Sequence, residues 1–306
     1  MGIPHPIPYQ GSKRNLVKYI LPFIPNGIER LVEPFAGSAA VAIASAYNCK
    51  AKNYWLNDFN SPLIELLKNM VEDPHKVSNR YSVVWNEQHE NPKEHFLVIR
   101  DIFNKTHEPE LLLYLLARCV KNAVRYNDKG EFNQSSDNRR KGRSPEKMKK
   151  EIEIFSQLMK NRTVFSSIDY SEVLEQTTLN DWVYMDPPYM GTKGSSKRYI
   201  QGLDLDRFIN NLELLNQRNI PYIISFDGKT GEKEYGEELP LHLGLYRLEI
   251  HAGKSSQATL QGKSANTIES LYLSKEAIKR SSITKEDLLS IKKSSYNNQI
   301  ELQFSF

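Results

Sequence analysis

The sequence predicts an α/β fold, a mostly parallel sheet into which a helical, basic segment is inserted. Three observations carry that expectation. At both ends of the chain, short apolar runs closed by Pro, Gly or Asp alternate with helical patterns, the signature of strand–helix–strand units. Between about residues 73 and 163 the apolar residues recur at helical spacing instead. That stretch also holds the chain's excess of positive charge. A length of 306 residues is about two domain lengths. Segments 1–72 and 163–275 then form the sheet domain, 73–162 the insertion and 276–306 a C-terminal extension.

The elements follow in order. Arg30-Leu-Val-Glu-Pro34 reads as a strand, Gly37 as a tight turn and the small-residue run Ala39 to Tyr47 as a helix. Tyr54 to Asp58 reads as a second strand, and Pro62 to Val71 as a helix with Ser61 as N-cap and Pro62 at its first position. Phe96, Ile99 and Phe103, then Leu112, Leu115 and Leu116, mark helices of the insertion. Arg125 to Pro145 is rich in Asn, Asp, Ser, Gly, Arg and Lys and reads as a hairpin or loop. Alternation resumes with strands at Val164-Phe165 and Trp182 to Met185, an amphipathic helix at Leu203 to Leu215 and a strand at Pro221 to Phe226. Two late strands are expected at Tyr246 to Ile250 and Thr267 to Leu273, then a tail helix capped by Thr284 with Asp287 three residues on.

Hydrophobic residues make up 39% and charged residues 25%, enough apolar material for a sizeable core. The mean hydropathy is −0.56 and no apolar run approaches the roughly 20 residues that span a bilayer. No secretory signal is visible, and Cys49 and Cys119 cannot build a disulfide framework or a metal site. A cytoplasmic protein without membrane or metal is the expectation. The net charge of +4 is unevenly spread, with 13 Lys/Arg against 6 Asp/Glu between Arg118 and Arg162. A basic block in an acidic remainder is the footprint of a polyanion-binding module, or else a solvated loop.

Asp186-Pro-Pro-Tyr189 directly follows an apolar strand, which places a carboxylate and a ring at the C-terminal edge of the sheet, where open α/β folds bind ligands. The two prolines remove N–H donors and leave carbonyl oxygens. An acid, a carbonyl and an aromatic face suit an exocyclic amino group on a base. The same string could be an ordinary Pro-Pro turn. Leu31-Val-Glu-Pro-Phe-Ala-Gly-Ser38 is a second strand-to-helix turn, with Glu33 beside it, and Asp58 ends the next strand where related sheets hold ribose hydroxyls. No G-x-G-x-x-G is present, and an acid beside the turn repels phosphate. A nucleoside with a cationic centre fits both conditions, as S-adenosylmethionine does. Gly228-Lys-Thr230 lacks the upstream glycine of a phosphate loop, Ser225 lacks a nucleophile elbow, and His251 reads as structural.

Tyr9-Gln-Gly-Ser-Lys13, Glu33-Pro-Phe-Ala-Gly37, Asn57-Asp58, Arg125-Tyr-Asn-Asp-Lys-Gly-Glu-Phe-Asn133 and Asp186-Pro-Pro-Tyr189 resemble, in this order, the motifs of the D12 class of DNA N6-adenine methyltransferases, the Dam-like alpha group. A looser similarity continues to Glu269-Ser-Leu-Tyr272. The resemblance implies a class I S-adenosylmethionine-dependent methyltransferase fold, a Rossmann-like mostly parallel sheet carrying a helical DNA-recognition insertion. It implies catalysis by Asp186, Pro187 and Tyr189, and cofactor contacts from Tyr9, Lys13, Glu33, Pro34, Phe35, Ala36, Gly37, Asp58, Asp169 and Asp186. Ala39 stands where the family often has glycine and is small enough for cofactor binding to survive. DNA contacts are expected from Arg125, Asn127, Asn133, Gln134, Arg139, Arg140, Lys141 and Arg143, and from Lys197 and Arg198 in a loop after the catalytic string. The implied partners are double-stranded DNA and a cognate restriction endonuclease, for a monomer. RNA adenine methylation and a catalytically inactive DNA-binding scaffold are the alternatives.

Overall fold

The computed structural model describes residues 2–188, 203–230, 233–235, 238–254, 266–281 and 283–284. Its sheet is built from β1 (Ile28–Glu33), β2 (Ala51–Asn57), β3 (Thr163–Ser166), β4 (Asp181–Met185), β5 (Tyr222–Thr230), β6 (Lys233–Tyr235), β7 (Tyr246–Lys254) and β8 (Asn266–Leu273). Strand order is β3-β2-β1-β4-β5-β8-β7, with β6 beside β5. The first five strands of that order run parallel, and β8 is antiparallel to both its neighbours, so that β7 runs in the direction of the first five. The mostly parallel sheet is therefore as the sequence leads one to expect, and β1 and β4 lie adjacent at its centre.

The central strands are apolar on both faces because helices cover both, as parallel sheets require. Leu31 and Tyr54 enter one buried cluster and Val32, Val183 and Met185 the other. The first cluster also takes in α1 (Val17–Ile20), α2 (Ala40–Tyr47), α3 (Ser61–Glu72), α4 (Pro74–Glu87), α5 (Pro92–Thr106), α6 (Pro109–Arg118) and α7 (Pro145–Met159). The helices of the insertion thus share a continuous core with α2 and α3. The Ser156 hydroxyl on α7 bonds to the carbonyl of Val71 at 2.7 Å. The second face is covered by α8 (Tyr170–Glu175) and α9 (Leu205–Gln217).

One capping expectation changes, at α3. The N-cap of α3 is Asn60, and Ser61 is the first helical residue, its hydroxyl turned to Glu65 at 3.3 Å. The described tail helix is α10 (Lys275–Arg280), capped by Ser274, whose Oγ accepts from the Ala277 amide at 3.1 Å. Ala277 is fully buried, so the chain past residue 275 begins within the sheet domain's core. The predicted helix capped by Thr284 falls largely outside the described residues.

Candidate active site

The C-terminal ends of β1, β2 and β4 open onto one cavity of about 270 Å³. Asn57, at the end of β2, ties the rim together. Its Nδ2 donates to the carbonyls of Pro34 and Ile168, both at 3.0 Å, and its Oδ1 accepts from the Ile168 amide at 3.0 Å and the Ser166 hydroxyl at 2.7 Å. Every hydrogen-bonding position of one buried amide is therefore spent on holding three strand ends at fixed separation. The sequence placed Asn57 in a motif without a role.

The Pro34–Ser38 turn approaches the cavity through Gly37, which has a φ of +49°. A methyl group there would come within 3.3 Å of the Tyr9 ring. Asp58 holds the turn from the other side, with Oδ2 accepting from the Gly37 amide at 2.9 Å and Oδ1 from the Asn60 amide at 3.0 Å. Burial leaves the Asp58 carboxyl above its usual range, with those two amides opposing the rise. Ala39 sits in the left-handed region at φ +53°, which explains why a glycine suits this position and why alanine, without a branched side chain, is tolerated.

Glu33 is buried, and its Oε1 accepts from the Ala42 amide at 2.5 Å. Ala39, the N-cap of α2, offers no side-chain oxygen, so Glu33 supplies the missing cap from the neighbouring strand. Burial pushes its carboxyl up to about 8, against the Ala42 bond. Phe35 packs against Tyr170 at 5.0 Å and Phe208 at 6.4 Å, forming an aromatic wall. Asp169 caps α8 through the Ser171 amide at 2.9 Å and takes both ends of the Arg207 guanidinium at 2.9 and 3.1 Å. Burial raises its carboxyl, but Ser171 and Arg207 more than reverse this and leave it below the usual range.

Asp186 follows β4 on the cavity rim, with Pro187 buried beside it. The Lys13 ammonium lies 3.0 Å from Asp186 Oδ1 and 3.1 Å from Glu269 Oε2 on β8. Lys13 is only 5% exposed. Burial pushes the Asp186 carboxyl up to about 6, with Lys13 opposing and Glu269 adding to the rise. Tyr9, Lys13, Glu33, Pro34, Phe35, Ala36, Gly37, Asp58, Asp169, Asp186 and Pro187 all line the same cavity. Tyr189, Lys197 and Arg198 lie outside the described residues.

Within the basic block, residues 126–132 form a small hairpin closed by an antiparallel Tyr126–Phe132 bridge. Phe132 anchors it, bracketed by Asn104, whose Oδ1 accepts from the Phe132 amide at 2.7 Å and whose Nδ2 donates to its carbonyl at 3.1 Å. The Tyr126 hydroxyl reaches Asn60 Oδ1 at 3.3 Å, so the hairpin touches the cavity wall. Arg125, Asn133, Arg139, Arg140 and Lys141 are exposed. Asn127 spends its side chain in the turn, accepting from the amides of Lys129 at 3.0 Å and Glu131 at 2.9 Å and donating to the Glu131 carboxylate at 2.8 Å. Arg139 and Arg140 both pair with the buried Asp137 at 2.9 Å, which holds that carboxyl far below its usual range. Arg143 is half-buried and donates to the carbonyl of His5 at 2.7 Å. Sequence reasoning grouped these cations by charge, and the structure gives each a different share of internal work.

Asp186 and Pro187 at the end of β4 thus share one cavity with the Pro34–Ser38 turn after β1 and with Asp58 after β2. A family model for the D12 class N6 adenine-specific DNA methyltransferases matches residues 9–280, and the chain belongs to that family. Its sheet is accordingly the class I methyltransferase sheet. The chain is 27% identical over 288 residues to the type II methyltransferase M.FokI of Planomicrobium okeanokoites, covering 88% of this chain and 43% of that one. It is 24% identical to the type II methyltransferase M1.LlaDCHI of Lactococcus lactis subsp. cremoris, covering 86% and 94%. It is 29% identical to the DNA adenine methylase of Escherichia coli K12, covering 79% and 87%. The chain thus spans less than half the length of the FokI relative. Among the described residues no helix is long and apolar enough to cross a membrane, and no group of His, Cys, Asp and Glu could hold a metal.

Proposed function

We propose that the protein transfers the methyl group of S-adenosylmethionine to N6 of an adenine turned out of double-stranded DNA. In this reading it works as a cytoplasmic monomer and is the modification partner of a restriction endonuclease. The observation that carries the reading is the position of the Asp186 carboxylate and the Pro187 backbone on the rim of a cavity lined by the Pro34–Ser38 turn. The cavity suits an adenosine-bearing cation. Its lining includes Asn60 Nδ2 and Tyr170 Oη, buried polar atoms with no hydrogen-bond partner among the described residues, as well as the aromatic wall and the Gly37 approach. When bound there, S-adenosylmethionine supplies an electrophilic methyl on a sulfonium. Glu33, raised to about 8 by burial, would be drawn back towards its ionised form by a cation in the cavity.

Adenine N6 is a weak nucleophile because its lone pair is delocalised into the ring. Asp186 Oδ2 and the Pro187 carbonyl are two acceptors for its two hydrogens. Hydrogen bonds to them favour tetrahedral nitrogen and stabilise the positive charge that develops on it. Holding the base and the cofactor in line provides the rest of the acceleration. Turning the base out costs a few kcal/mol, and stacking on Tyr189 returns about 1–3 kcal/mol. Exposed Arg125 and Asn133 at the hairpin, and Arg139, Arg140 and Lys141 in the segment after it, are the DNA-facing candidates.

Long-read methylation mapping of unmodified DNA, treated with purified protein and S-adenosylmethionine, tests the reading. N6-methyladenine at a single motif is the expected result. Preferential modification of structured RNA would replace the DNA substrate, and absence of cofactor binding would leave an inactive scaffold. Gly37→Ala tests the turn separately. It sets a side chain in the left-handed region, at a cost of about 1–2 kcal/mol, and pushes on the Tyr9 ring. A cofactor Kd raised about tenfold by calorimetry is expected. An unchanged Kd would remove the turn from the cofactor site.

A further inference from the structure

Lys13 is shared. Its ammonium lies between two carboxylates from strands on either side of β5, Asp186 after β4 and Glu269 on β8. The pairing with Asp186 falls on Oδ1. Glu269 reaches this point because of a local backbone arrangement. It stands opposite Gly228 on β5, next to a bulge between Ser225 and Gly228. A methyl group on Gly228 would lie 2.5 Å from the carbonyl oxygen of Ile268, so only glycine lets the two strands meet here. The glycine that begins the rejected phosphate-loop fragment therefore has a structural purpose, to seat β8 and its acid beside the site.

We propose that Glu269 is a positioning residue for methyl transfer, which shares the Lys13 ammonium so that one oxygen of Asp186 is neutralised and the other stays open to the substrate amino group. The proposal rests on the adenine methyltransferase reading of the site. Without Glu269 the ammonium loses one of the two carboxylates it contacts and is drawn further onto Asp186, where it competes with the amino group for the acceptor. The charged or titratable groups that face Asp186 among the described residues are Lys13, Glu33 on β1, Tyr184 on β4 and Glu269 on β8. Of these, Glu269 is a carboxylate that also contacts Lys13, so its removal acts twice in one direction: it deletes a repulsion and tightens an attraction, and both favour the ionised Asp186.

The test is Glu269→Gln, which keeps shape and removes charge, alongside Glu269→Asp. The carboxyl-carbon resonance of Asp186, assigned by its loss in Asp186→Asn, is titrated in the cofactor-free protein, and the pH dependence of kcat is measured in parallel. In Glu269→Gln the Asp186 titration and the acid limb of kcat are expected to move together to lower pH by about half a unit or more. The plateau kcat is expected to fall about three- to tenfold, with KM for S-adenosylmethionine within about twofold. Glu269→Asp restores the profile. A titration and an acid limb that stay at the wild-type pH, with only the melting temperature lowered, would overturn the proposal and leave Glu269 a structural residue. If the wild-type protein methylates no adenine, the reaction assignment fails. The resonance titration still decides whether Glu269 controls Asp186, so the two failures are told apart.

Discussion

Asp186→Ala is expected to lower kcat for adenine methylation by about 10²–10³-fold, the size of effect seen when one preorganised group facing developing charge is lost. The reason is geometric. Asp186 stands on the rim where β4 ends, and the prolines that follow it offer no N–H to compete for its carboxylate. The variant retains the glycine turn, Asp58, Asn57 and the aromatic wall, so cofactor binding survives to within about tenfold. DNA binding survives too, because the hairpin is anchored by Phe132 and Asn104, far along the chain from β4. Single-turnover methylation together with calorimetry for the cofactor and a gel-shift assay for DNA separates the effects. A variant that loses cofactor binding in step with turnover would show Asp186 to be a binding group only. One that keeps turnover would end the mechanism as written.

What the sequence makes legible follows the chemistry of short strings. Asp186-Pro-Pro and Glu33-Pro-Phe-Ala-Gly37 each sit at the end of an apolar strand, and a strand end needs only local sequence to be recognised. Their convergence follows from β1 and β4 being neighbours. Glu33 shows the limit. Its string predicts an acid beside the turn, but its carboxyl is turned to the α2 backbone, because Ala39 leaves that helix start uncapped. Glu269 was visible only as part of a loose similarity, since its place depends on the register of β8 against β5, more than 40 residues away in sequence. Asn60 was hidden for a similar reason: its partner Tyr126 arrives from the insertion. The basic block misled in a different way. Charge density cannot say that Arg143 is held by the backbone of His5, or that Arg139 and Arg140 lean on Asp137.

Lys13→Met is expected to move the acid limb of activity to higher pH. In the wild-type protein Asp186 titrates near 6, so its accepting, ionised form prevails at neutral pH and is lost as pH falls through about 6. Lys13 is the group holding that value down, against burial and the charge of Glu269. Deleting the ammonium leaves two carboxylates facing each other, and the Asp186 carboxyl rises further. A rise of about one to two units cuts activity at pH 7 by roughly two- to tenfold and restores it near pH 9. Recovery at alkaline pH is the decisive reading, because a merely misfolded variant does not regain turnover when protons are withdrawn. Stability carries the same sign. Asp186 and Glu33 both titrate above their unfolded values, so the native protein binds more protons than the unfolded chain between about pH 4 and 8. Their contribution to stability is therefore complete below that window and is lost as pH rises through about 6 and then about 8. Lys13→Met steepens the loss by raising the upper edge for Asp186. Thermal melts of the two proteins from pH 5 to 9 should diverge progressively as pH rises. Parallel melting curves with an unmoved acid limb would mean that the Lys13 ammonium does not govern the charge of the catalytic carboxylate.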